Sequence, residues 1–163
     1  VSGNALHFDG VDDYVRVNDS NALDVNQYLR VEAYVKRISS GVGVMLQKTN
    51  TANDHFAYSF EWGYNNRLYL VINPNDDPGS LAWWEFTNLA ITDNNYHNIV
   101  GVFNGSASDI YLYIDGVEQN TTRVGIATNH IASTSGHLLI GTGRANAQHY
   151  FGGIIDEVNV SGF

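Results

Sequence analysis

The sequence predicts an all-β chain folded as an antiparallel sandwich or jelly roll. Three observations carry this prediction. Apolar residues recur at every second position over many short stretches, clusters of Gly, Asn, Asp and Pro punctuate them, and no dozen residues keep the i, i+3, i+4, i+7 apolar stripe of a helix. Many short strands at this spacing build sandwiches.

Taken in order, the first stretch is Leu6 to Val17, LHFDGVDDYVRV. It sets Asp9, Asp12 and Asp13 between two apolar, strand-like flanks. Three like charges that close repel unless something cationic sits among them. At Asp19 to Leu23 a short helical turn is expected, capped by Asp19 or Ser20. Leu29 to Lys36 alternates most cleanly, with Leu29, Val31, Ala33 and Val35 on one face and Arg30, Glu32, Tyr34 and Lys36 on the other. Phe56 to Trp62, Arg67 to Asn73 and Ile110 to Ile114 repeat the pattern. Asn104-Gly105 and Asp115-Gly116 read as hairpin turns of a three-strand meander, because both residue pairs tolerate positive φ.

Pro74 and Pro78 fall in Asn73 to Ser80, NPNDDPGS. Proline removes a ladder donor, so this segment is a loop. Asn50 to Asp54, Gly125 to Gly136 and Gly143 to Gln148 are the other expected long loops. The tail FGGIIDEVNV returns to strand character and carries a second acidic pair, Asp156 and Glu157.

At 163 residues the chain has the size of one domain, residues 1–163. Eight Lys and Arg against seventeen Asp and Glu give a net charge of −9. Phosphate backbones and anionic lipid surfaces attract basic patches, so this balance argues against nucleic acid and membrane partners and favours cations and neutral polar ligands. There is no apolar run long enough for membrane insertion. The absence of cysteine excludes disulfides and thiolate metal sites. Asn18, Asn104, Asn120 and Asn159 stand in glycosylation sequons. The chain starts without Met, and is expected to be a processed or excised piece of a longer protein.

Catalytic constellations are sparse. A β-sandwich glycosidase needs two carboxylates across a cleft, but Glu61 and Glu85, the strand-like glutamates beside aromatics, have no acidic neighbour two residues away. His7, His55, His97, His130, His137 and His149 keep no metal-ligand spacing and read as surface or structural residues. The chain is therefore expected not to be an enzyme. Aromatics offer more. Trp62, Tyr64, Trp83 and Trp84 flank the proline loop, with Asn66 and Asp76 among the amides and carboxylates between them. A sugar lays its C–H face on an aromatic ring while its hydroxyls need amides and carboxylates, so these six residues are the candidate ligand-binding set.

Three blocks resemble a known family. LHFDGVDDYVRV (Leu6 to Val17), YHNIVGVFNGSASDIYLYIDGVEQ (Tyr96 to Gln119) and LLIGTGRANAQHYFGGIIDEVNV (Leu138 to Val160) are similar, in this order, to the signature blocks of laminin-G-like jelly-roll domains, of the concanavalin A-like lectin/glucanase superfamily. The resemblance implies two antiparallel sheets of six or seven strands, with the first and last strands adjacent. It implies a calcium ion, with Asp9, Asp13 and Asp156 as the conserved-looking ligands, and Gly152 and Gly153 as the close approach of the tail strand. It also implies a carbohydrate-binding or adhesion role in a secreted or cell-surface setting. Tyr96 stands where the family usually has Trp, and the Glu-x-Asp-x-x-Glu strand of catalytic relatives is missing.

The expected function is thus a non-catalytic, extracellular module that binds a glycan or cell-surface polysaccharide and carries structural calcium. The alternative is a structural subunit of a surface layer, filament or viral particle acting through other protein chains. A hydrolase or lyase ranks third.

Overall fold

Period-two alternation organises the whole chain. The computed structural model describes residues 5–50, 55–75, 83–143 and 149–162. In chain order its strands are β1 (Leu6–Asp9), β2 (Val15–Val17), β3 (Tyr28–Arg37), β4 (Gly43–Thr49) and β5 (Phe56–Trp62). They continue with β6 (Leu68–Ile72), β7 (Trp83–Thr87), β8 (Tyr96–Asn104) and β9 (Asp109–Ile114). The last four are β10 (Val117–Glu118), β11 (Thr121–Val124), β12 (Leu138–Ile140) and β13 (Gly152–Ser161). Single 3-10 turns stand at Asn21–Leu23 and Tyr64–Asn66.

These strands form the two-sheet antiparallel jelly-roll sandwich that the sequence predicts. One sheet has six strands in the order β1-β13-β3-β8-β9-β10, the other seven in the order β11-β7-β6-β5-β4-β12-β2. β3 shows why. Its Leu29, Val31, Ala33 and Val35 are fully buried while Arg30, Glu32, Tyr34 and Lys36 are half-buried on the opposite face. From the other sheet, Tyr58, Phe60, Leu68 and Leu70 meet this row, with Ile99, Phe103 and Leu112 completing the core. Each large apolar side chain taken fully out of water contributes about 1.5–3 kcal/mol, so the inter-sheet layer holds the sandwich together.

Asp115 and Gly116 have φ of 51° and 77°, the two positive values that a tight two-residue hairpin needs. The other expected hairpin turn is corrected: β8 and β9 are joined by the four residues 105–108, with Ser108 rather than Gly105 at positive φ. Gly105 is wedged instead, since a Cβ there would stand 2.3 Å from the Asn129 carbonyl oxygen and 2.7 Å from that of Gln27. The first and last strands are adjacent, with Asp9 opposite Gly152 and Leu6 opposite Ile155. Gly152 makes room for the chain leaving β3, because a Cβ would meet Ser39 Oγ at 2.3 Å.

Candidate functional site

The seven-stranded sheet turns Leu68, Leu70 and Ile72 of β6 into the core, so Tyr69 and Val71 face outward. Antiparallel register puts Phe86 opposite Tyr69 and Trp84 opposite Val71. Phe86 and Trp84 therefore share the outer face with Tyr69. The Tyr69 and Phe86 rings stack with centroids 5.0 Å apart, and the Arg67 guanidinium carbon stands 5.1 Å from the Phe86 centroid. The other edge of Tyr69 lies over Gly63, where a Cβ would come within 2.3 Å of its ring.

From Gly63 the chain enters the 3-10 turn, where Asn65 and Asn66 both hold φ near 59°. Asparagine tolerates this left-handed region better than most residues. Tyr64 opens the turn and is 70% exposed, and Trp84 is 38% exposed. Burial raises the Tyr69 phenol above its ordinary pKa, the positive charge of Arg67 opposes this, and Glu61 and Tyr64 push it up further. These four groups thus share one electrostatic neighbourhood.

Toward the middle of the same face the surface is closed. Gln47 Nε2 donates to Ser59 Oγ at 3.1 Å, and Ser59 Oγ donates to Glu61 Oε1 at 2.6 Å. Val44, Gln47, Ser59, Val71 and Leu139 are buried there. The face is open where Tyr64 and Trp84 stand.

The six residues expected to bind ligand separate clearly. Trp62 is a correction: it is 1% exposed and belongs to the core cluster, because it shares the inward parity of Tyr58 and Phe60 on β5. Asn66 braces the turn, accepting a 2.8 Å hydrogen bond on Oδ1 from Arg37 Nη1. Burial lowers the pKa of Arg37, whose guanidinium carbon stands 5.3 Å from the Trp62 centroid. Trp83 opens β7 opposite Ile72. Asp76 lies outside the described residues. Tyr64 and Trp84 remain as exposed rings. Sequence reading missed Tyr69, Phe86 and Arg67. The alternation of Arg67 to Asn73 gives the parity of Tyr69, but only the β6–β7 register brings Phe86 beside it.

At the start of the chain, Asp9, Asp12 and Asp13 bring one carboxylate oxygen each to within 4.8 Å of the others. The turn uses part of their capacity: Val11 N–H donates to Asp9 Oδ1 at 2.7 Å, and Asp9 N–H to Asp13 Oδ2 at 2.9 Å. The donor set is all oxygen and open to solvent, which fits a hard cation whose shell water completes. Asp156 is a correction to the expected ligand set. With Asp9 opposite Gly152, Asp156 lies past Leu6, roughly 13 Å along the strand at about 3.3 Å per residue. It accepts instead from the Glu157 N–H at 2.9 Å.

Three other acidic residues are tied up structurally. Buried Glu85 accepts from Thr121 Oγ1 at 2.5 Å and lies 3.6 Å from Arg123 Nε. His97 Nδ1 and Nε2 stand 2.7 Å from Asp115 and Asp93 respectively, so this histidine clamps a loop to the β9–β10 turn. Burial opposes the charged ring, but the two aspartates outweigh it and raise the His97 pKa above its ordinary value. Among the described residues no helix is long and apolar enough to cross a membrane.

Comparison with known proteins adds the following. A family model of laminin G type, for the concanavalin A-like lectin/glucanases superfamily, matches residues 9–162. Comparison with curated proteins finds no match. Among solved structures, a heptameric SAP-like pentraxin from Limulus polyphemus is similar at 16% identity and a TM-score of 0.70, covering 96% of this chain and 76% of that one. Domains LG4-5 of the mouse laminin alpha1 chain are similar at 19% identity and a TM-score of 0.67, over 99% of this chain and 41% of that one. The CBM40 of the Ruminococcus gnavus IT-sialidase is similar at 13% identity and a TM-score of 0.68, over 98% of this chain and 90% of that one. The same module has also been solved bound to α2,3-sialyllactose. At such identities the likeness establishes the shared fold.

Proposed function

The chain belongs to the concanavalin A-like lectin/glucanases superfamily, and from that premise we propose that it is a non-catalytic, extracellular glycan-binding module. The observation that carries this reading is the aromatic row Tyr69, Phe86 and Trp84 on the outer face of the seven-stranded sheet, open to solvent at Trp84 and at Tyr64. Rings on a rigid sheet accept the apolar faces of sugars with little loss of side-chain freedom. Glu61 stands opposite Tyr69 on the neighbouring strand β5. The carbohydrate-binding neighbour supports a sugar as the ligand class.

Binding rather than catalysis is supported by what occupies the two strand glutamates. Glu85 is held by Thr121 and Arg123, and Glu61 by Ser59. Calcium, in this reading, is held by Asp9, Asp12 and Asp13, where it relieves their mutual repulsion and fixes the turn between β1 and β2. The laminin G family match and the four sequons support the extracellular setting.

The direct test is a glycan array probed with the fluorescently labelled chain, with and without calcium. Binding to a defined class of glycans is expected. An array blank under both conditions at millimolar glycan contradicts the reading.

A further inference from the structure

Resting on the glycan-binding reading, we infer that the Arg67–Phe86 pair makes this face selective for sugars that carry a carboxylate. The argument starts from what the cations of this acid-rich chain do. Arg30 pairs with Glu32, Lys48 with Asp19 and Asp24, and Arg123 with Glu85 and Asp109. Arg67 differs. Among the described residues no side-chain hydrogen bond or ion pair reaches its guanidinium, which is held only by the ring of Phe86, 5.1 Å from its centroid.

A guanidinium attracted to a ring through its face keeps its N–H edge for a ligand. That edge is a fork of donors that fits a planar carboxylate through two parallel hydrogen bonds. Phe86 is stacked on Tyr69 and shares its face with Trp84, which is 38% exposed. The cation therefore stands at the aromatic row and not on an unrelated surface. A pyranose resting on that row presents a ring carboxylate at its rim. Densely sulfated chains are disfavoured by the net charge of −9, whereas a single carboxylate meets the Arg67 guanidinium at the row.

Two sources supply this chemistry, uronic acids and sialic acids. The test titrates the whole chain by calorimetry with trigalacturonate and its neutral methyl ester, and with sialyllactose and lactose. One charged member is expected to bind about tenfold more tightly than its neutral counterpart, a preference that weakens with added salt. The winning pair identifies the source. Arg67→Gln is expected to erase the preference while leaving neutral-sugar affinity in place. Arg67→Lys retains only part of it, since an ammonium cannot form the fork. Melting temperatures of the variants confirm that each is folded, and Phe86→Leu supplies an independent loss of the cation's seat.

Equal affinity for charged and neutral members, or a preference that survives Arg67→Gln, overturns the inference and leaves the glycan-binding reading standing. Absence of binding to all four probes, together with a blank glycan array, overturns both.

Discussion

Lys48 Nζ donates to Asp19 Oδ1 at 2.5 Å from a side chain that is 1% exposed. The ammonium also donates to the carbonyls of Thr134 at 2.9 Å and Gly136 at 2.7 Å, and Asp24 Oδ1 lies 3.1 Å away. One internal cation thus ties β4 to the loop before β3 and to the segment preceding β12. A buried lysine persists only where its charge and all its donors are met.

Lys48→Met keeps the aliphatic length and removes the charge. It is expected to destabilise the chain by about 3 kcal/mol, because two buried carbonyls lose their donor and two carboxylates lose their cation. Urea unfolding checks this, with an unchanged m-value as the sign that only the clamp is lost. Asp19, whose pKa the Lys48 hydrogen bond lowers, makes its contribution above its ordinary carboxylate range and loses it as pH falls.

His97 gives stability the opposite pH dependence on its basic side. Its folded pKa is raised, so the charged clamp is fully present below the unfolded value of about 6.5 and is lost as pH rises through the folded value. Asp93 is lowered by the same contact and withdraws as pH falls through its folded value. The difference in melting temperature between the native chain and His97→Gln should therefore peak between about pH 5 and pH 6.5 and shrink on both sides. A difference that grows toward pH 9 contradicts the clamp.

The fold was legible in the sequence because its information is local. The alternation of Leu29 to Lys36 names the buried face of β3, and Asp115-Gly116 names the turn between β9 and β10. The candidate face was half legible, since Tyr64 and Trp84 could be picked out as aromatics flanking Asn73 to Ser80. Trp62 misled because an aromatic beside polar residues looks like a platform, whereas parity with Phe60 decides burial. Phe86 and Arg67 gain meaning only from the register of β6 against β7. Asp156 was placed with Asp9 because the end strands pair, but adjacency of strands does not fix register, and Gly152 holds the position opposite Asp9.

Gly63→Ala probes whether the Tyr69 ring must lie where it does. The added methyl meets the ring at 2.3 Å, so Tyr69 has to move off Phe86. The expected cost is about 1–3 kcal/mol, together with a loss of glycan affinity larger than any change in secondary structure seen by circular dichroism.

The acidic turn predicts a chelator-sensitive melting temperature. A cation bound only by the folded chain contributes about 2.7 kcal/mol at a hundredfold excess over its dissociation constant. Asp12→Asn should remove most of this calcium-dependent shift, and Asp156→Asn should leave it intact, because Asp156 stands outside the converging oxygens. The reverse ranking contradicts the site.

The most direct measurement is the calorimetric affinity of the native chain and of Trp84→Ala for the glycan that binds best on the array. Trp84 is exposed and opposes Val71 on the outer face, so its truncation should cost little stability. The account predicts binding that weakens about tenfold or more, the loss of roughly one aromatic contact, at a melting temperature nearly unchanged. Affinity that survives Trp84→Ala in a folded chain contradicts the account, and so does a native chain that binds no glycan.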